Sequence, residues 1–170
     1  MTHTARIAEL TAAFNDSMAR FLARLDAAPS ELMTLPPPTG GWSAAQVAWH
    51  VAATNEAFAG WIDGSIPGAK PAPAGFAEMP WSAVASKTPA KLEAPARFQP
   101  PAEVTKADAL SKLRASQQRI VDALGSLDES RAVLTVKSIV GTPISLYQVG
   151  NWAAAHVARH NAQAKRLLGR

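Results

Sequence analysis

Two histidines near the end of the chain are spaced as metal ligands on a helix would be. His156 and His160 stand four residues apart in NWAAAHVARHNAQAKRLL, residues 151–168. Four residues make slightly more than one helical turn, so the two imidazoles lie about 40° apart on one face. Val149, Ala153 and Leu167 share this face, which therefore points to the core. Neutral imidazoles are common ligands of divalent metal ions.

A third histidine with a core-facing position is found in another predicted helix. The chain has four histidines, and His50 lies on an apolar face with Val47, Thr54 and Trp61. Facing helices of a bundle often supply ligands to one ion. His50, His156 and His160 are therefore predicted to bind one divalent metal ion. The alternative is that all three are hydrogen-bonded core histidines without a metal.

Composition and charge narrow the possible functions. The 170 residues include no cysteine, so thiolate ligands and disulfides are excluded. The formal net charge is +4, but lysine and arginine form no stripe of the kind that binds nucleic acid. No apolar run approaches the roughly 18–20 residues that span a bilayer, and the N-terminus lacks the pattern of a signal peptide. We expect a cytoplasmic protein that binds neither nucleic acid nor membranes.

Four segments have the spacing of apolar residues that is typical of amphipathic helices. Two begin with a capping box, formed by Ser43 with Gln46 and by Ser145 with Gln148. Gly125 is predicted to end the third helix. Four such helices predict an all-α four-helix bundle in one domain, residues 1–170. The predicted helices cover about 5–27, 43–61, 105–125 and 145–168.

The connections between these helices are less regular. Residues 63–104 contain eight of the 13 prolines and no helical period, so they predict a long proline-rich loop between the second and third helices. Its apolar residues favour packing across the bundle, and a partly mobile excursion is the alternative. Residues 131–143 have extended character and predict a short hairpin.

Polar residues near the histidines are candidates for substrate binding or for orienting an imidazole. They are Thr54 and Gln163, which lie on the histidine faces, and Gln117, which interrupts the apolar face of the third helix. No glutamate follows His156 as it would in the H-E-x-x-H motif, so peptidase activity is disfavoured. Arg159 lies at the edge of its face and would either hold an anionic group or form a surface ion pair.

The ordered set of motifs resembles one protein family. GGWSAAQVAWHV, KLEAPARFQPPAEV and GTPISLYQVGNWAAAHVARHNAQ are similar to segments of the DinB-like superfamily, also described as YfiT-like metal-dependent hydrolases. The resemblance covers nearly the whole chain from the second helix onward. It implies a four-helix bundle, often dimeric, with a three-histidine metal centre at the positions of His50, His156 and His160. It also implies relatives that act as transferases or isomerases with low-molecular-weight thiols.

These observations lead to two competing functions. The first is a metal-dependent hydrolase or thiol-dependent transferase that acts on a small molecule, since three neutral ligands leave a divalent ion with an open position. The second is a non-catalytic metal-binding stress protein whose ion stabilises a dimeric bundle. The ion is expected to be zinc, nickel or iron, and the protein is expected to form a homodimer. The catalytic residues and the substrate stay unassigned at this level.

Overall fold

The protein is built on four long helices, as the sequence predicts. The computed structural model describes residues 1–86 and 93–169, so residues 87–92 of the predicted loop lie outside the described residues. The four-helix bundle is confirmed, with each predicted helix present at close to its expected bounds. The long helices are α1 (His3–Ala27), α3 (Ala44–Asp63), α5 (Lys106–Ser126) and α7 (Leu146–Leu168).

Short elements connect the long helices. Three of them are single-turn helices that the sequence pattern does not predict, and a further 3-10 turn covers Ala96–Phe98. Two strands pair antiparallel, with Thr135 opposite Ser145. The hairpin is therefore confirmed, but it is shorter than predicted because residues 131 and 132 belong to a helix. The short elements are α2 (Ser30–Thr34), α4 (Trp81–Ala85), α6 (Glu129–Ala132), β1 (Thr135–Lys137) and β2 (Pro143–Ser145).

The long helices form a ring in which each packs against two neighbours. Helix α3 lies against α5 and α7, and α1 lies against the same two helices from the other side. Their apolar faces meet in one core, where burial of large side chains supplies most of the stabilisation. The largest fully buried side chains are Phe14, Phe21, Phe58, Met18, Leu25, Met33, Ile62, Leu113, Ile120, Leu124, Ile144 and Leu146.

The two predicted capping boxes mark the starts of α3 and α7, whereas the predicted glycine stop of α5 is not at the observed helix end. Both capping boxes are present: Ser43 and Ser145 each accept from the backbone three residues on, and each glutamine side chain accepts from the serine amide in return. These boxes fix the start of the two helices that carry the histidines. The predicted end of the third helix at Gly125 is one residue short, because α5 ends at Ser126 and its cap is the extended residue Leu127.

The proline-rich loop contacts the rest of the protein at several points, as predicted, although most of its described residues are exposed. The backbone of Lys70 pairs with that of Thr135, through N···O distances of 2.9 and 2.7 Å. Further along, Gln148 donates from Nε2 to the Met79 carbonyl at 2.8 Å. Val84 of α4 is buried in the core. No helix in the described ranges is long and apolar enough to cross a membrane.

Candidate metal centre

Two neighbouring helices bring the three predicted histidines together. His50 projects from α3, and His156 and His160 project from adjacent turns of α7. One nitrogen of each ring lies within 4.8 Å of the nitrogens of the other two. His156 Nε2 and His160 Nε2 are 3.2 Å apart. His50 and His160 are only 6% and 9% exposed, so the cluster lies largely inside the bundle.

Hydrogen bonds orient two of the three rings. His50 Nδ1 donates to the Phe98 carbonyl at 2.8 Å, and His160 Nδ1 donates to Gln163 Oε1 at 2.8 Å. Carbonyl oxygens can only accept, so Nδ1 carries the proton in both rings. Nε2 of each ring is left with a free lone pair. Such bonds to the second nitrogen are the usual way in which proteins orient a metal-binding imidazole.

His156 is held differently from the other two. Its Nδ1 is buried and has no hydrogen-bond partner within the described residues. Because His160 Nε2 carries a lone pair, the 3.2 Å contact is a hydrogen bond only if His156 Nε2 holds the proton. A metal ion at Nε2 would displace that proton to Nδ1. Binding of such an ion through Nε2 would therefore require His156 to change its tautomer.

Burial keeps all three imidazoles neutral at pH 7. The pKa of His156 lies well below its ordinary value, because the ring is desolvated and because His160, His50 and Arg159 disfavour a further positive charge. The pKa of His160 is lowered to about 4. Desolvation is the largest cause, and the second is the repulsion that His160 would meet from a protonated His50. Desolvation also lowers the pKa of His50, although its bond to the Phe98 carbonyl acts in the opposite direction. Neutral imidazole is the form that binds metal.

The donor set fits one divalent metal ion. Two nitrogens that each lie about 2.0–2.1 Å from a tetrahedral ion are roughly 3.3–3.4 Å apart, close to the 3.2 Å between His156 and His160. The same spacing applies to every pair of ligands on a tetrahedral ion. The three nitrogens lie within 4.8 Å of one another, so His50 would move inward by up to about 1.5 Å to bind the same ion.

Aromatic rings enclose the histidines on two sides. The Trp42 ring centroid lies 5.0 Å from that of His50, and Phe58 meets His156 edge-on at 6.0 Å. Trp152 packs on Phe58 at 4.8 Å and stacks with Trp61 at 6.4 Å. These rings limit the access of water to the cluster. The spacing of apolar residues predicts Trp61 on the face of His50, but it does not predict the contact between Trp42 and His50.

The three polar candidates lie in different surroundings. Gln163 contacts His160, as described above. The Thr54 hydroxyl donates to the His50 carbonyl at 2.9 Å, within its own helix. Gln117 points elsewhere, since its Nε2 donates to Asn15 Oδ1 of α1 at 2.8 Å. Of the three candidates, Gln163 is thus the one whose side chain is hydrogen-bonded to a histidine ring.

One contact of the site had no signal in the sequence. The Phe98 carbonyl belongs to the proline-rich loop, 48 residues from His50. Every residue has a backbone carbonyl, so the residue type at position 98 does not indicate that its carbonyl contacts His50. This contact is known only from the path of the loop in the structure.

The fold and the site together define a class of protein, a four-helix bundle with three histidines converging from two helices. The family model of the DinB superfamily matches residues 13–164, and the chain belongs to that superfamily. The resemblance seen in the sequence motifs is thereby confirmed. A search of curated proteins finds no match to this chain.

Proposed function

We propose that this protein is a metal-dependent enzyme that activates a small thiol or a water molecule for reaction with a small-molecule substrate. The observation that carries the proposal is the convergence of three neutral imidazoles from α3 and α7. Three neutral ligands leave the charge of a divalent ion uncompensated and a coordination position open. That arrangement favours an anionic fourth ligand. A low-molecular-weight thiol is the preferred partner, in line with the resemblance to thiol-dependent transferases.

The chain's own residues prepare the site for this role. The Phe98 carbonyl and Gln163 Oε1 each hold an Nδ1 proton, which leaves Nε2 of His50 and His160 available as ligands. Phe58 and Trp152 cover the His156 side of the cluster. A divalent ion held here would supply Lewis-acid chemistry, lowering the pKa of a thiol or a water so that its anion is available at neutral pH.

A second candidate is a non-catalytic role for the ion. His50 and His160 are nearly buried and belong to two helices that pack together. An ion shared between them would cross-link α3 to α7 and stabilise the bundle. The difference between the two candidates is whether an exogenous ligand reaches the ion.

Cobalt substitution separates these candidates. Cobalt-loaded protein is titrated with 2-mercaptoethanol and, separately, with azide, and the visible spectrum is followed. We expect a thiolate charge-transfer band at neutral pH. A response to azide alone would favour activation of water over activation of thiol. No response to either ligand would overturn the enzymatic proposal in favour of the structural one. The His3→Ala protein is the control and should respond as the wild type does.

A further inference from the structure

A cleft of about 380 Å³ lies alongside α3, next to the histidine cluster. Ala53, Ala57 and Trp61 of α3 form one wall. Ala53 is one turn from His50, a rise of about 4.5 Å along the helix axis. Ala57 and Trp61 project within about 20° of the His50 direction. The cleft therefore continues the same helix face that carries His50.

A lining residue from the proline-rich loop connects the cleft to the cluster through its backbone carbonyl. Phe98 lines the cleft, and its carbonyl accepts the Nδ1 proton of His50. Trp61, on the first wall, stacks with Trp152, which packs on Phe58 beside His156. The cleft and the cluster thus share both an aromatic wall and a loop residue. Its volume falls in the range of small-molecule sites, about 300–1,000 Å³.

The charged groups of the cleft differ in whether they are already paired. Arg119 forms an ion pair with Asp63 and donates to Ser65 Oγ at 3.2 Å. Arg97 places its guanidinium 4.6 Å from the Phe98 ring centroid. Within the described residues, neither Arg97 nor Glu56 has a hydrogen-bond or ion-pair partner. Among the described residues, the cleft thus presents one cation and one anion that no other side chain neutralises.

We propose that this cleft binds a small zwitterion of the amino-acid type. Arg97 holds the carboxylate, because a guanidinium offers a planar fork of donors that matches it. Glu56 holds the ammonium group. Trp61 and Phe98 take the apolar part of the molecule between them. Binding in the cleft does not depend on the ion, and only the ligand's role as part of the substrate rests on the proposed function.

The test compares three thioethers that differ only in their charged groups. S-methyl-L-cysteine has both charges, 2-(methylthio)ethylamine lacks the carboxylate, and 3-(methylthio)propionate lacks the ammonium group. Zinc-loaded protein is titrated with each, and binding is followed by the NMR amide shifts of Ala57 and Ile66, which line the cleft. None of the probes has a thiol, so the result is independent of thiol binding at the ion.

Because Arg97 and Glu56 are both exposed, we expect S-methyl-L-cysteine to bind about 1.5- to 5-fold more tightly than either analogue. In Arg97→Gln, S-methyl-L-cysteine should bind no more tightly than 2-(methylthio)ethylamine, and the affinity for this amine should be unchanged. In Glu56→Gln, S-methyl-L-cysteine should bind no more tightly than 3-(methylthio)propionate, and the affinity for this acid should be unchanged. Arg20→Gln, on the exposed side of α1, is the matched control and should change nothing. Zinc content is measured in each variant to verify an intact cluster.

Two results would overturn the proposal. One is equal binding of the three compounds, or no shift with any of them. The other is a loss in Arg97→Gln that is as large for the amine as for S-methyl-L-cysteine, since that would mean a change in shape rather than a lost charge contact. Either result would leave the cobalt experiment on the proposed function unaffected.

Discussion

His50 of α3 and Phe98 of the proline-rich loop are joined by a hydrogen bond of 2.8 Å from Nδ1 to the backbone carbonyl. This bond determines which nitrogen of His50 is free for a ligand. It also connects the candidate metal centre to the wall of the neighbouring cleft. The orientation of the His50 imidazole therefore depends on a loop residue that is 48 positions away in the chain.

The hydrogen bonds predict the tautomers of the metal-free protein. His50 and His160 should carry the proton on Nδ1, and His156 should carry it on Nε2 because it donates to His160. Long-range ¹H–¹⁵N correlation spectra of the imidazoles at pH 7.5 distinguish the two forms. Zinc should convert His156 to the Nδ1–H form. An Nε2 proton on His50 or His160 would contradict the assignment.

Gln163 should contribute to metal affinity through His160. Gln163→Leu removes the acceptor of the Nδ1 proton at 2.8 Å, and loss of such a partner typically weakens metal binding by about 10–100-fold. Competition with a chelator measures the affinity. Gln117→Leu is the matched control, because the Gln117 amide contacts Asn15 instead. Equal effects of the two substitutions would argue against an orienting role for Gln163.

Acid should destabilise the metal-free protein below about pH 6.5. The pKa of His160 is lowered from 6.5 to about 4 in the folded state, so the unfolded chain takes up its proton first as the pH falls. Stability is complete above pH 6.5 and is lost progressively towards pH 4. Between pH 7.5 and 5 this single group should lower the free energy of unfolding by about 2 kcal/mol.

Urea unfolding at a series of pH values measures that loss. His160→Gln should make the pH dependence shallower, because the titrating group is gone. A wild-type stability that stays constant between pH 7.5 and 5 would contradict the desolvation of the cluster.

Replacement of two glycines by alanine should change the stability of the protein in opposite directions. Gly64 caps α3 with a φ of 87°, and a Cβ there would also meet the Arg131 guanidinium at 2.9 Å. Gly64→Ala should therefore destabilise the protein by at least about 1 kcal/mol. Gly125 lies inside α5 with nothing within 4 Å of a Cβ, so Gly125→Ala should stabilise it by about 0.5–1 kcal/mol. Thermal unfolding compares them, and a lower melting temperature for Gly125→Ala would be inconsistent with the helical assignment.

The main architecture and the histidine cluster follow from local rules in the sequence. The capping boxes at Ser43 and Ser145 mark the helix starts, and the period of 3.6 residues places His50, His156 and His160 on core-facing sides. Helices in a small bundle must bury these faces against one another. The convergence of the three histidines is therefore predictable from residue types and spacing alone.

The remaining features depend on tertiary contacts that no local pattern contains. Gly125 has the residue type of a helix stop, but it does not adopt the positive φ of a glycine cap, and α5 ends one residue later at Ser126. Gln117 interrupts the apolar face of α5 because its side chain donates to Asn15 of α1, and it does not contact the histidines. The positions of Phe98 and Arg97 depend on the path of the proline-rich loop, which has no period to determine it.

Metal analysis of purified histidine variants tests the central claim most directly. Wild-type protein and the His3→Ala protein should each bind about one equivalent of a divalent ion, since His3 contacts Tyr147 instead, with Nδ1 at 2.7 Å from the hydroxyl. His50→Ala, His156→Ala and His160→Ala should each lose most of that ion, because two imidazoles hold it far less tightly than three. Far-UV circular dichroism verifies that each variant is folded. Metal content in folded His156→Ala protein equal to that of the wild type would contradict the three-histidine centre.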